Sequence, residues 1–267
     1  MTAIAASLVK ELRDQTGAPM MDCKRALTET NGDMEAAVRL LREWGAASAA
    51  KRAGRETPEG KVGYRLADDS SRGTMVAVGC ETEPESNNDE FLAFAKKVLD
   101  AVDANGPGAE DELEEERVAL SGKLGENIVV AGTARFEALD GARIDAYAHP
   151  PANKIGVLVN VRGGAPELGR KVAMHIAASA PQWVGRGDVP EETVAAELDI
   201  YAASDEVQSK PEQAREKIVE GMVNKRFFAA QVLTEQPWIH VPGQTVGQAL
   251  QEENAEVLEF ERFALQA

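Results

Sequence analysis

The side chains able to do chemistry are few and scattered. The chain of 267 residues has three histidines and two cysteines, which are His149, His175, His240, Cys23 and Cys80. No histidine stands in an H-E-x-x-H pattern or near a cysteine at metal-ligand spacing. The sequence also lacks the G-x-S-x-G nucleophile elbow and the G-x-x-x-x-G-K-[ST] phosphate loop. We therefore expect no metal, no cofactor and no enzymatic reaction, and we expect the protein to act by binding.

One strand, turn and helix, residues 74–102, organise the rest of the chain. A short apolar strand leads into an acidic turn, and apolar residues then recur at helical spacing. Asn88 or Asp89 suits the N-cap of this helix, because a short side-chain oxygen can accept a helix N–H. The turn contains Thr82, Glu83, Pro84 and Glu85. A solvated connection is the simpler interpretation of the turn, and insertion into a partner is the alternative.

The same order of elements recurs later in the chain. An apolar strand covers residues 153–161, Gly163 and Gly164 form a turn, and apolar residues at helical spacing follow from Leu168. We interpret the two segments as copies of one unit with shared or apposed sheets. The fold class predicted from this pattern is α+β.

Bulk composition limits the partners. The formal net charge is −16, and nucleic acids and anionic membranes both need a basic footprint on the protein. No stretch approaches the roughly 20 apolar residues of a membrane span, and the first residues lack a secretory signal. Two cysteines in separate segments fit a reducing compartment better than a disulfide framework. We expect a cytoplasmic protein that does not bind nucleic acid or membrane directly.

Three short helices are predicted before residue 45. The first ends at Gly17 and the third ends at Gly45, and residues 46–60 form a linker that is helical at first. Met20 and Met21 begin the second helix. Composition favours their burial in the core, and a soft contact surface is the alternative.

The rest of the chain divides into two further parts. Residues 61–139 form the first core subdomain, and residues 140–267 form the second. Within the second, residues 191–234 have the spacing of two helices joined by a proline-containing turn, which predicts an antiparallel helical hairpin. We then expect a short strand at 238–242, a capped helical turn from Thr245, and a closing strand at 257–265.

Several motifs resemble bacterial translation elongation factor Ts, the guanine-nucleotide exchange factor of elongation factor Tu. They occur in the expected order over nearly the whole chain. They are Leu12 to Leu27, Asn31 to Met34, Lys123 to Ile128, Tyr147 to His149, Lys154 to Val159, Met174 to Ser179, Val219 to Gly221 and Thr245 to Gln248. The resemblance implies a ubiquitin-associated-like three-helix domain, two related α+β core subdomains and an inserted helical hairpin.

The resemblance also implies contacts with elongation factor Tu. The N-terminal domain and the first core half would grip the GTP-binding domain, and the second core half would reach the third domain. Family members usually insert an Asp-Phe pair near the magnesium and phosphate site of the partner. Here the aligned residues are Glu83 and Pro84, so the acid is kept and the aromatic ring is lost. The implied contact residues are Lys24, Thr82, Glu83, Pro84, Glu85, Leu124, Gly125, His149, Ile239 and His240.

We therefore expect a protein that binds elongation factor Tu with GDP, or without nucleotide, and promotes GDP release. A first alternative is a stabilising partner of elongation factor Tu with weak exchange activity, because the phenylalanine is missing. A second is a small-molecule enzyme with a helical adaptor, which would need a deep polar pocket. The sequence leaves open a homodimer, the rate and affinity of exchange, and the orientation of the hairpin.

Overall fold

The computed structural model describes residues 4–139 and 141–265. A group of helices at the N-terminus precedes two three-stranded antiparallel sheets that carry further helices. The predicted α+β class is confirmed. The predicted domain limits at residues 45, 60 and 139 stay predictions, and the last of them adjoins residue 140, which lies outside the described residues.

Three helices form the N-terminal region: α1 (Ala6–Thr16), α2 (Met20–Glu29) and α3 (Met34–Arg52). Gly17 ends α1 with a left-handed φ of 66°, as predicted. Asp33 caps α3 by accepting a hydrogen bond from the Ala36 amide at 2.9 Å. The buried side chains of this region include Leu12, Cys23, Leu27 and Ala37.

The predicted end of the third helix at Gly45 is wrong, because α3 continues to Arg52. The residues after Gly45 are mostly alanines, which favour helix. Gly45 instead allows α3 to pack closely against a later helix, α6 (Glu114–Leu124). A Cβ atom added to Gly122 of α6 would lie 3.0 Å from the Cα atom of Gly45.

The predicted burial of Met20 and Met21 is also wrong. Their exposed fractions are 45% and 71%. The core of the three helices is filled by residues one turn further along, including Cys23, Ala26 and Leu27, so the methionines at the start of α2 point outward. The alternative interpretation, a soft contact surface, stays a prediction.

Two sheets form the centre of the molecule. The first has the order β1 (Glu59–Leu66), β2 (Arg72–Cys80) and β3 (Val129–Glu137). The second has the order β4 (Ala142–Ala148), β5 (Ile155–Arg162) and β6 (Glu256–Ala264). Strands β1 and β2 form an antiparallel hairpin, and the predicted closing strand is confirmed as β6. The two strands of the internal repeat, β2 and β5, are both central strands.

The repeated units build four layers. Helices α5 (Asp89–Asn105) and α7 (Leu168–Ser179) cover the outer faces of the first and second sheets. Alternate residues of β2 point in opposite directions, so Val76 and Val78 face α5 while Met75 and Ala77 face the second sheet. Leu158 of β5 meets them from the other side. The sheets are therefore apposed rather than shared.

A helical hairpin follows the second repeat. It consists of α8 (Glu191–Ala203), α9 (Asp205–Gln208), α10 (Glu212–Met222), a π-helical stretch (Val223–Phe228) and α11 (Ala229–Gln231). Its apolar side chains, among them Val207, Val219 and Phe227, form a separate small core. Backbone hydrogen bonds at its base, such as Leu233 N to Trp183 O at 2.8 Å, tie it to the core.

The predicted strand at residues 238–242 is wrong. Trp238 is buried, but the chain turns at Ile239 and His240 and folds back on itself. The amide of Trp238 donates to the carbonyl of Gln244 at 2.8 Å, and strand-like pairing in this segment is limited to one bridge between Pro237 and Thr245. The next element, α12 (Val246–Glu252), begins with the predicted cap at Thr245.

Candidate functional site

A single turn of helix, α4 (Glu83–Ser86), occupies the acidic connection between β2 and α5. Glu83 and Pro84 are exposed at its start, where proline fits because the first helical turn needs no N–H from it. We call residues 82–87 the α4 turn. The predicted irregular turn is thus a short ordered helix, held between a buried strand and a long helix.

Short polar side chains hold the α4 turn from within. The Ser86 hydroxyl donates to the Glu83 carbonyl at 2.8 Å, and the side-chain amide of Asn87 donates to the same carbonyl at 3.0 Å. Asn88 caps α5 by accepting from the Glu90 amide at 2.8 Å, as predicted. The exposed residues of the turn are therefore presented on a defined backbone.

Residues 81 and 82 form a reciprocal clasp with residues 126 and 127. The Glu126 carboxylate accepts from the Glu81 amide at 3.0 Å, from the Thr82 amide at 3.1 Å and from the Thr82 hydroxyl at 2.5 Å. The Glu81 carboxylate in turn accepts from the Asn127 amide at 2.6 Å. The Arg55 guanidinium also donates to Glu81, at 3.2 and 3.3 Å.

The clasp brings two predicted contact segments together. Leu124 ends α6, and Gly125 follows it with a left-handed φ of 80° that reverses the chain. Glu126, the next residue, binds Thr82. The predicted contact residues Thr82, Leu124 and Gly125 therefore belong to one local surface, together with the α4 turn.

Acidic side chains lie close together beneath the α4 turn. Burial and the nearby charge of Glu126 raise the pKa of the Glu85 carboxyl above its ordinary range. One Glu85 oxygen is buried and has no hydrogen-bond partner among the described residues. Burial, followed by the charge of Glu126, raises the pKa of Cys80 to about 12. The Cys80 thiol stays protonated and donates to the Thr82 carbonyl at 3.3 Å.

The N-terminal helices approach the same region across a groove. The groove, of about 930 Å³, is lined by Pro19, Asp22 and Arg25 on one side and by Lys123, Leu124 and Gly125 on the other. Lys24 lies exposed on α2, beside the methionines at the start of that helix. Lys24 is thus separate from the α4 turn but belongs to a helix that faces Leu124.

The remaining predicted contact residues gather on the second half of the core. The hydroxyl of Tyr147 and Nδ1 of His149 are 2.9 Å apart, and Arg170 of α7 lies over the Tyr147 ring. His240 contacts the carbonyl of Lys171 through Nε2, at 3.0 Å. Ile239 next to it is 48% exposed. His149, Ile239 and His240 therefore surround the N-terminal half of α7, on a different helix from the α4 turn.

The third histidine has a structural role. His175 is fully buried, and its Nε2 lies 2.9 Å from the Gln236 side-chain oxygen. The Gln236 nitrogen donates to the carbonyls of Ser179 and Ala230, so the oxygen must accept from the imidazole. Nδ1 has no partner among the described residues, and burial lowers the His175 pKa. His175 is therefore a packed core residue.

Among residues 4–139 and 141–265, no three histidine, cysteine or acidic side chains cluster closely enough to hold a metal ion. None of the helices described is both long and apolar enough to cross a bilayer.

Sequence reasoning identified Thr82 but missed Arg55, Glu81 and Glu126, which complete the clasp. Arg55 was assigned to a basic linker, and Glu81 and Glu126 were two carboxylates among 45 acidic residues. The one available signal was Glu126 itself, which lies inside a motif shared with the family. That signal does not reveal its partner, because Thr82 is 44 positions away.

Comparisons with known proteins agree with the resemblance seen in the motifs. The family model described as elongation factor TS matches residues 81–267. Elongation factor Ts of Thioalkalivibrio sulfidiphilus is 43% identical, over 97% of this chain and 91% of the relative. Elongation factor Ts of Teredinibacter turnerae is 44% identical, over 98% and 90%. The Escherichia coli protein of that name is 43% identical, over 98% and 92%. The chain belongs to the elongation factor Ts family.

Proposed function

We propose that this protein binds elongation factor Tu carrying GDP and accelerates GDP release, so that GTP can bind. The observation that carries the proposal is the α4 turn. It presents Glu83 and Pro84 to solvent on a backbone fixed at both ends, at the position where the family inserts its Asp-Phe pair. Membership of a translation elongation factor family supports the choice of partner.

The proposed mechanism is negative coupling between two ligands. The protein and GDP each bind the partner well alone and poorly together, and each weakens the other by the same factor. No bond is made or broken by a side chain of this protein, so we propose that it is not an enzyme in the chemical sense. The free energy of docking offsets the loss of contacts between elongation factor Tu and the phosphates of GDP.

Charge suits the α4 turn to that task. Glu83 is exposed, and the half-buried carboxylate of Glu126 lies behind the turn and accepts from the Thr82 hydroxyl. An acidic insert competes with phosphate oxygens for magnesium and for basic side chains, and this competition is strongest where water is excluded. Lys24, the Leu124–Gly125 segment beside the α4 turn, and the group of His149, Ile239 and His240 would supply affinity.

The test is the release rate of a fluorescent GDP from elongation factor Tu at increasing concentrations of this protein. We expect the rate to rise to a plateau. A variant with both Glu83→Ala and Pro84→Ala should lower the plateau at least tenfold and still bind, because the other surfaces remain. Binding by the natural protein without any rise in the release rate would overturn the proposal.

The second candidate is a stabilising partner of elongation factor Tu that exchanges poorly. Pro84 is the observation that favours it, because a proline offers less apolar surface than the phenylalanine usual in the family. Burying a phenylalanine contributes roughly 1.5–3 kcal/mol. This candidate predicts tight binding of nucleotide-free elongation factor Tu with a low plateau, which the same titration measures.

A further inference from the structure

Glu126 stands between two surfaces that the proposed function needs. It follows Gly125 at the end of α6, and its carboxylate reaches the first residues of the α4 turn. We propose that Glu126 is a positioning residue for nucleotide exchange, which fixes the α4 turn in the conformation that enters the partner. The proposal rests on the proposed function and adds to it a residue that itself need not touch the nucleotide site.

The α4 turn needs an external support. A helix of four residues is not stable alone, because forming the first turn fixes several dihedral angles and gains only one hydrogen bond. The N-cap residue, Thr82, makes no side-chain cap of its own. Its hydroxyl donates to Glu126 instead, and the amides of Glu81 and Thr82 donate to the other oxygen of the same carboxylate. Both carboxylate oxygens are therefore engaged.

Glu126 is itself held firmly. The Ser121 hydroxyl, on a fully buried side chain, donates to the Glu126 carbonyl. Asn127, the next residue, is 2% exposed and donates its backbone amide to Glu81 and its side-chain amide to the Arg55 carbonyl. The carboxylate thus projects from a rigid segment, and hydrogen bonds to a charged group are about twice as strong as neutral ones.

Loss of this support should affect the rate at saturation more than the docking. Without Glu126 the turn becomes an ensemble, and the free energy of ordering it must be supplied when it enters the partner. The docking surfaces proposed at Lys24 and around α7 have no hydrogen bond or ion pair to the clasp among the described residues, so the half-saturating concentration should change little. This split separates a positioning role from a direct contact with the partner.

The functional test compares Glu126→Ala with the natural protein in the fluorescent GDP assay. We expect the plateau rate to fall roughly 10- to 100-fold, as loss of charge-assisted hydrogen bonds would cause. The half-saturating concentration should stay within about threefold of the natural value. Glu112→Ala is the matched control, because Glu112 is exposed on the same core half and makes no hydrogen bond or ion pair among the described residues. An unchanged plateau, or a change confined to half-saturation, would refute the proposal.

A second test needs no partner protein. Amide hydrogen exchange of the free protein should show faster exchange in Glu126→Ala at residues 81 and 82, whereas β1 should keep its protection. Thr82→Val, which removes one hydrogen bond and keeps the side-chain shape, should give a smaller change in the same segment. If Glu126→Ala fails to fold, Glu126→Gln and Thr82→Val replace it in both assays.

The two tests separate the two claims. If the natural protein does not accelerate GDP release, the proposed function fails, whatever the exchange data show. If it does accelerate release and the amides of residues 81 and 82 exchange equally in the natural and variant proteins, the clasp does not order the turn. That result would overturn the inference and leave the proposed function intact.

Discussion

Replacing Pro84 by phenylalanine should strengthen exchange. Pro84 is exposed in the first turn of α4, so a larger side chain there meets solvent in the free protein. The amide that phenylalanine restores occupies a position where helices leave N–H groups free. The fold should therefore tolerate Pro84→Phe with little change in stability.

The magnitude follows from two opposing effects. Burial of the phenylalanine ring in the partner contributes roughly 1.5–3 kcal/mol. Loss of the stiff proline costs about 0.4–1 kcal/mol, because the freer chain has more conformations to lose. The net gain of about 0.5–2.6 kcal/mol corresponds to a plateau rate that is roughly 2- to 70-fold higher.

The assay is stopped-flow release of fluorescent GDP at saturating concentrations of each variant. Pro84→Ala is the control, since it removes the ring of proline without adding an aromatic one and should not exceed the natural plateau. If Pro84→Phe lowers the plateau or leaves it unchanged while binding persists, the partner has no place for an aromatic ring. The natural proline would then be the fitted residue, against this reasoning.

Two further predictions concern packing. Burial lowers the pKa of His175 in the folded state below its ordinary 6.5, so folding favours the neutral imidazole. The free energy of unfolding is therefore constant with respect to this group above about pH 6.5 and falls as the pH drops below that value. Thermal melting from pH 7.5 to 5.5 should therefore decline more steeply in the natural protein than in His175→Gln, and parallel curves would contradict this. Gly122→Leu should push α6 away from Gly45 and weaken partner binding at least threefold, because no space exists there for a large side chain. Gly122→Ala should weaken binding less, and a binding titration measures both variants.

Periodicity predicted most of the fold. The apolar run around Val76 predicted a strand and the helical spacing from Phe91 predicted a buried helix face, and both side chains are buried in one cluster. The repeat also placed β2 and β5 in equivalent central positions. These features depend on neighbours along the chain, so they can be read from a short window of sequence.

The errors came from contacts between distant residues. Gly45 looked like a helix end because glycine often ends helices, but it provides room for Gly122 of another helix. Met20 and Met21 looked like core residues by type, although the positions one turn later fill the core. Trp238 suggested a strand, and only the bond from its amide to Gln244 reveals a turn.

The candidate site shows what a motif can and cannot predict. The motif resemblance placed Thr82, Glu83 and Pro84 at the contact surface, which stays a prediction, and the structure shows all three exposed. The helical form of the turn, and the support from Glu126 behind it, required the fold. The sequence of one chain does not show which amide a carboxylate accepts from when the two residues are more than 40 positions apart.

The most direct measurement of the central claim uses a small amount of this protein. Elongation factor Tu loaded with fluorescent GDP is mixed with excess GTP and one-hundredth as much of this protein. An exchange factor should release nearly all of the GDP, because each molecule leaves one partner and acts on the next. Release limited to about one GDP per molecule of this protein, or release at the spontaneous rate, would contradict the account and favour a stabilising partner.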